Sequence, residues 1–452
     1  MQTPQAIAAT LLAHAGLAPA PLDVTGTEPI LPSSFRVDAA AAATIGAAGL
    51  AAAAIHQARG GAPQSVTIAL RHAAAEFRSE HHATDTSVPP AEIWDPIAGL
   101  YPTGDARHVR LHTNFPHHRD GILRLLGVEN TRAAVAKALL NWQAEQFETA
   151  ATAQGMCVAA ARSFETWDQH PHAAHLPDVP LSIARIAASP RTPLPPAAAR
   201  PLAGIRVLEL ARVIAGPVAG RTLAAHGADV LHITGPGIPN FPRLITDTGR
   251  GKRTAELDLN AAPGRTALAT LAAGADVFLQ SYRTGALAAR GFAPEDLARL
   301  NPNIVVATLS AYGETGPWGC KRGFDSLVQT ATGLNHAEAA AAGGTTPRPL
   351  PCQALDHASG YLLALGAQAA LLRRHHEGGS WKVTVSLAAT ARWLRGLGRL
   401  PDGFAAAEPA DLADLLETTG SITTVRHAAL LSATPAFWSH PALPLGHGLA
   451  IF

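Results

Sequence analysis

Cysteine is scarce in this chain: Cys157, Cys320 and Cys352 are the only three in 452 residues, odd in number and in no paired or metal-ligand spacing. That excludes a disulfide framework and a thiolate metal site, and a reducing cytoplasm is the expected setting. Aromatic residues make up only 5%, and 35 Lys+Arg nearly cancel 34 Asp+Glu. With no excess of positive charge and no basic patch interleaved with rings, nucleic acid is not an expected partner. Apolar stretches of the roughly 18 residues needed to cross a bilayer are absent unless broken by Gly, His or charge, so no membrane partner is expected either. The first twenty residues are apolar but lack a basic start and are interrupted by His14, which reads as a helix and not as a signal peptide.

What the chain has in quantity is apolar residues, at 47%, over a length for which two or three domains are the default. It also contains a repeat. Asp38, an Ala-rich helix and Gly60-Gly61 recur 318 residues later as Asp356, a helix and Gly378-Gly379, and a one-residue deletion then aligns Val66-Thr67 with Val383-Thr384. An aspartate, a glycine pair and a strand in one register indicate duplication. Between the copies, His108 to His112 alternates as a short strand does, and amphipathic segments cover 131 to 160, a mixture expected of a small α+β domain. Five prolines between Ser189 and Pro201 mark a linker.

From Leu202 the pattern becomes strand and helix in alternation. Strands are predicted at Ile205 to Ala211, Ala228 to Ile233, Thr254 to Leu259, Asp276 to Tyr282 and Ile304 to Ser310. Helices are predicted at Pro217 to His226, Pro263 to Ala273 and Pro294 to Leu300. Apolar strands of this kind predict a Rossmann-like parallel sheet with helices on both faces, whose ligands sit at the carboxyl ends of the strands. The first strand ends on Arg212 and turns through Ala215-Gly-Pro217, which presents backbone N–H groups to an anion. Asp356 stands at the head of a long apolar helix, where a lone aspartate is ordinarily a helix cap.

Several short motifs agree in order and spacing: the strand with its Ala-Gly-Pro turn, Gly227-Ala-Asp-Val230, Arg250-Gly-Lys-Arg253, Ser281-Tyr-Arg-Thr-Gly285, Leu300-Asn-Pro-Asn303, Ser310-Ala-Tyr-Gly313, Arg322-Gly-Phe-Asp325 and the Asp356 helix. In these the chain resembles the family III CoA-transferases (the CaiB/BaiF group). Gly155-Met-Cys-Val158 and Phe164-Glu-Thr-Trp-Asp168 resemble the family's small domain. The resemblance implies four segments: 1–90 as a partial duplicate of the aspartate-helix half, 91–190 as a small α+β domain, 191–201 as the proline-rich linker and 202–452 as the CoA-binding catalytic domain. It implies an acyl-CoA:carboxylate CoA-transferase working through an aspartyl anhydride and an aspartyl-CoA thioester, with Asp356 as nucleophile and no metal. Its expected partners are acyl-CoA and a small carboxylic acid, and its expected assembly is a homodimer. It points to Arg212, Lys252, Arg253, Arg290 and Arg322 for the phosphates and adenosine end of CoA. The backbone of Val213, Ile214 and Ala215, with Ser281 and Tyr282, would line the path of its arm, and Phe324 and Asp325 would stand near the carboxylate.

The chain departs from the family at Thr234-Gly235, where an acidic residue is usual. It also lacks a recognisable glycine-rich loop over the carboxylate and a small domain after the second copy, and Asp38 reads as vestigial. Two alternatives remain: an α-methylacyl-CoA racemase-like isomerase, with His336 or His357 in place of the histidine that Phe324 replaces, and a non-catalytic CoA-binding or scaffold protein.

Overall fold

Strands apolar on both faces must be covered on both faces, and the computed structural model, which describes all residues except 90, 91, 93, 238 and 407–410, shows how this is done. The N-terminal unit contains β1 (Leu22–Thr25), β2 (Val66–Ala69) and β3 (Thr84–Asp85). A small unit follows, with the antiparallel sheet of β4 (Gly99–Pro102), β5 (His108–Leu111) and β6 (Val158–Ala160). The main sheet has seven strands: β7 (Leu181–Ala187), β8 (Arg206–Leu210), β9 (Asp229–Thr234), β10 (Lys252–Glu256), β11 (Val277–Gln280), β12 (Val305–Ser310) and β13 (Ser380–Ser386). A tail adds β14 (Leu416–Thr419), β15 (Ile422–Val425) and β16 (Leu430–Leu431).

The main sheet runs β10-β9-β8-β11-β12-β13-β7 and is parallel except for β7. Val207, Val277, Leu279 and Val305 face one side, packing on the helices Ala215–Ala225 and Ala354–Glu377. Leu208, Leu210, Phe278 and Val306 face the other, packing with Leu268, Leu271 and Leu297 of Ala262–Ala273 and Pro294–Leu300. The expected Rossmann-like α/β sheet is therefore present. Strand order reverses between β8 and β11, which places a crevice at their carboxyl ends.

The repeat is visible in three dimensions. Helix Val37–Ala58, β2 and helix Leu70–Glu76 match helix Ala354–Glu377, β13 and helix Leu387–Gly396 in order. The strand-to-helix step falls at Ala69/Leu70 and again at Ser386/Leu387, 317 residues on, as the one-residue deletion requires. The two long helices pack on each other, with Gln368 Nε2 donating to the Ala48 carbonyl at 3.1 Å. Val37–Ala58 is long and apolar enough to cross a membrane, but 83% of its most apolar stretch is buried inside the protein, so it is a core helix.

Hydrogen bonding cuts across the expected domain boundaries. Strand β7, inside the span assigned to the small domain, pairs with β13 and edges the main sheet. In the tail, β15 pairs with β3 and β16 with β2, so part of the span assigned to the catalytic domain completes sheets of the N-terminal unit. The 90/91 boundary itself lies outside the described residues.

Candidate active site

The crevice between β8 and β11 opens into a cleft of about 580 Å³. On the side of the main sheet, the chain leaves β8 through Arg212, Val213 and Ile214 and enters helix Ala215–Ala225, whose Ile214 cap position contributes no side-chain hydrogen bond. Val213 has φ 69°, a left-handed conformation that a β-branched residue adopts only when its surroundings force it. A Cβ on Gly216 would lie 2.5 Å from that of Ala211 and 2.9 Å from Ser281 Oγ, so the turn closes against the end of β11 only because residue 216 has no side chain. Ser281, Tyr282 and exposed Arg290 continue this wall.

The facing wall comes from the small unit. Helix Pro116–Leu126 presents Phe115, His117 and His118 at its start, and buried Cys157 lies beside them, its Sγ 3.6 Å from His118 Nε2. Arg322 and Phe324 complete this side, with Arg322 bonding to Gly155 O at 3.1 Å and reaching His118 Nε2 at 3.3 Å.

Asp356 lines the buried end of the cleft and is 7% exposed. The turn after β8 lies directly against its helix: a Cβ on Gly360 would come within 2.6 Å of the Ala215 carbonyl and 2.8 Å of Val218. The N-terminal N–H groups of that helix are not free for Asp356, however. Those of Leu355 and Asp356 donate to Asp325 Oδ2 at 2.8 and 2.9 Å, and Gln329 Nε2 donates to the other oxygen of Asp325. The helix dipole therefore stabilises the Asp325 anion first. Burial, then Asp325 and then Glu80 push the Asp356 carboxyl well above the ordinary aspartate range. Asp325, itself buried but holding these hydrogen bonds, rises only to about 6. Asp356 therefore holds its proton at pH values where an exposed aspartate has lost it.

If Asp356 must be ionised to react, kcat/KM rises with pH over a range above that of an exposed aspartate. Asp325→Asn removes the like charge while keeping the shape, so its profile should reach half-maximum at lower pH. An unchanged profile in that variant would show that Asp325 does not set the ionisation of Asp356.

Ten of the candidates read from the sequence meet in this cleft: Arg212, Val213, Ile214, Ala215, Ser281, Tyr282, Arg290, Arg322, Phe324 and Asp356. Lys252 and Arg253 do not. The Lys252 ammonium is fully buried, donating to Glu209 at 2.9 Å and to the Pro217 carbonyl at 2.8 Å. Arg253 pairs with Asp229 at 2.8 Å and bonds the Ile451 carbonyl. The signal that separates Lys252 from a surface cation is Glu209 in the middle of an apolar strand, since a buried carboxylate requires a partner.

Asp38 is 2% exposed and does not line the cleft; its carboxylate accepts from the Ile30 and Leu31 amides at 2.6 and 3.3 Å. It closes a loop onto the first copy's helix. His336 is exposed, and buried His357 is held by Glu80 Oε2 at 2.8 Å, so neither stands on the cleft wall opposite Asp356. Sequence reasoning missed Phe115, His117, His118 and Cys157, although Gly155-Met-Cys-Val158 had marked the small unit. Nothing local to those residues says which surface of the small unit faces the sheet.

The model of CoA-transferase family III matches residues 202–400. A Mycobacterium tuberculosis protein named "Probable fatty acyl-CoA transferase" is 36% identical over 202 residues, covering 42% of this chain and 51% of that protein. The mouse succinyl-CoA:glutarate CoA-transferase is 30% identical over 192 residues, covering 40% of this chain and 43% of its own length. A crystal structure of a hypothetical protein from M. tuberculosis shares 34% identity over 44% of this chain and 59% of that one, with a TM-score of 0.42. The chain thus spans about half the length of the curated relatives it matches. The matched residues 202–400 carry Asp356 and the main-sheet wall of the cleft, so the similarity to CoA-transferase family III falls on the candidate site.

Proposed function

We propose that this protein transfers CoA from an acyl-CoA thioester to a free carboxylic acid, with Asp356 as the nucleophile. The observation that carries the proposal is a buried carboxylate at the closed end of a cleft, beneath a strained turn and an uncapped helix start at the switch point of the sheet. Exposed Arg290 at the mouth, the turn of Arg212 to Gly216, and Ser281 with Tyr282 offer an extended carrier a path from solvent to Asp356.

Ionised Asp356 attacks the thioester carbonyl; a C–O bond forms, the C–S bond breaks, and the electron pair leaves on CoA thiolate, giving an aspartyl anhydride. The thiolate then attacks the aspartyl carbonyl, releases the donor acid as its carboxylate and leaves an aspartyl-CoA thioester. The acceptor carboxylate repeats the sequence in reverse: it displaces thiolate to form a second anhydride, and the thiolate takes the acceptor acyl group, restoring Asp356. No proton is consumed overall, so catalysis rests on holding carboxylate and thiolate together, which supplies effective concentrations of about 10^5 M or more. Both walls of the cleft come from one chain.

Asp356→Ala separates this reading from a non-catalytic CoA-binding protein. Transfer from acetyl-CoA or succinyl-CoA to carboxylic acids should disappear, while CoA affinity by calorimetry stays within a few-fold of the parent. CoA binding with no transfer by the parent protein would leave the scaffold reading standing.

A further inference from the structure

Three basic groups converge on one stretch of the cleft from both of its walls. The Arg212 guanidinium, from the turn after β8, lies 5.2 Å from the centre of the Phe115 ring. On the facing wall Arg322 reaches His118 Nε2 at 3.3 Å, and the ring of His117 lies 4.1 Å from that of His118 and 5.8 Å from Phe115. Neither arginine forms an ion pair among the described residues: Arg212 bonds the Pro239 carbonyl and Arg322 the Gly155 carbonyl. Of the carboxylates, Asp120 acts on His117 and is itself bonded to Arg119 at 2.9 Å. Two other cleft cations lie outside this group. Lys321 is committed to Glu148 at 2.7 Å, and Arg290 bonds Asn260 Oδ1 at 2.8 Å and the Ala286 carbonyl at 3.0 Å on the main-sheet wall.

We propose that His117 is a ligand of the carrier's diphosphate, which bridges the cleft between Arg212 on the main-sheet wall and Arg322 with His117 on the facing wall. The proposal rests on the CoA-transfer reading and adds to it a binding residue and a proton coupling that transfer itself does not require. His117 and Arg322 are exposed, so this stretch is the solvent end of the cleft. A reacting carboxylate spent there would not reach Asp356 at the buried end. A diphosphate has two charges and non-bridging oxygens on both sides, which suits guanidinium forks approaching from opposite walls. Burial, Arg322 and Arg212 hold the His117 imidazole below its ordinary value against the pull of Asp120, so it is neutral at pH 7. His118 is held at about 3 by burial, His117 and Arg322 and does not titrate near neutrality. A dianion seated between the arginines offsets their repulsion and draws a proton onto His117. Carrier binding is therefore coupled to proton uptake and weakens as pH rises through the value that His117 has in the complex.

Calorimetric titration with 3'-dephospho-CoA tests this, because its diphosphate stays ionised across neutrality whereas the 3'-phosphate of CoA has its own second pKa of about 6. At pH 7 in MOPS, imidazole and Tris, the dependence of the heat on buffer should report uptake of about half a proton. Affinity should fall about tenfold from about pH 6 to about pH 8. In His117→Gln the uptake should vanish and the affinity should no longer vary with pH. The same pair measured in Asp356→Asn removes the nucleophile's carboxyl as a source of the proton. Pantetheine, which has the arm without the phosphates, should bind with no uptake, and that comparison needs no variant. Uptake that persists in His117→Gln, or that pantetheine also produces, overturns the proposal, and so does binding of 3'-dephospho-CoA with no proton taken up. Failure of both CoA and 3'-dephospho-CoA to bind would sink the transfer reading itself, whereas binding without uptake sinks the role of His117 alone.

Discussion

Asp356→Asn is expected to cut CoA transfer by at least about 10^3-fold, because the amide is no nucleophile, and at the same time to make the protein more stable at neutral pH. The second effect follows from the environment of the carboxyl. Burial, Asp325 and Glu80 raise its folded pKa well above the unfolded value. Between those two values the folded chain binds a proton that the unfolded chain has released, so the contribution of Asp356 to stability falls as pH rises from about 4. Asn has no proton to lose and relieves Asp325 of its neighbour. The difference in Tm between variant and parent should therefore be near zero in acid and widen toward neutral pH, as scanning calorimetry from pH 4 to pH 8 would show. Equal Tm values throughout, with activity lost, would mean that the carboxyl is solvated and that the cleft does not strain it.

Arg221→Met should cost about 3–5 kcal/mol, the usual price of stranding buried carboxylates by removing their cation. The Arg221 side chain is fully buried; it donates to Asp247 at 2.5 Å, Ser79 Oγ at 2.9 Å and Tyr361 OH at 3.1 Å, with Glu76 at 3.7 Å. Tyr361 donates to Glu76 at 2.5 Å, and Glu76 also accepts the Ala428 amide at 2.5 Å. One guanidinium thus joins the N-terminal unit, the helix after β8, the Asp356 helix and the tail. Although burial alone would raise both carboxyls, His427 and Arg221 hold Glu76 below its ordinary value, and Arg221 and Arg250 do the same for Asp247. Their contribution is present above the unfolded carboxylate values and is lost as pH falls below them. Urea unfolding at neutral pH should show the full deficit in Arg221→Met and a smaller one in acid. A loss below about 1 kcal/mol at neutral pH would show that the four parts are held by packing and that the ion network is dispensable.

The main sheet was legible because its strands are buried on both faces. Val305–Ser310 and Val277–Gln280 fall inside the predicted runs, and the helix Pro294–Leu300 was read without a shift. The repeat was legible because a constant offset survives even in Ala-rich sequence. Basic residues misled for the opposite reason: Lys252 inside a sheet and Arg290 at a cleft mouth carry the same local signal, and only Glu209, forty-three positions away, tells them apart. The role of Asp325 was half seen. Its place beside the carboxylate was expected, but its hold on the Leu355 and Asp356 amides depends on a helix thirty residues later in the chain. Cleft residues 115 to 157 and the pairing of the tail with β2 and β3 depend on docking between units, which no local periodicity encodes.

The most direct test is chemical. The protein is incubated with acetyl-CoA or succinyl-CoA, quenched with hydroxylamine, digested and read by mass spectrometry. An anhydride or thioester on the nucleophile should appear as a hydroxamate at Asp356, absent from Asp356→Ala and from samples without thioester. Transfer that proceeds while Asp356 stays unmodified and another residue carries the hydroxamate would contradict the account.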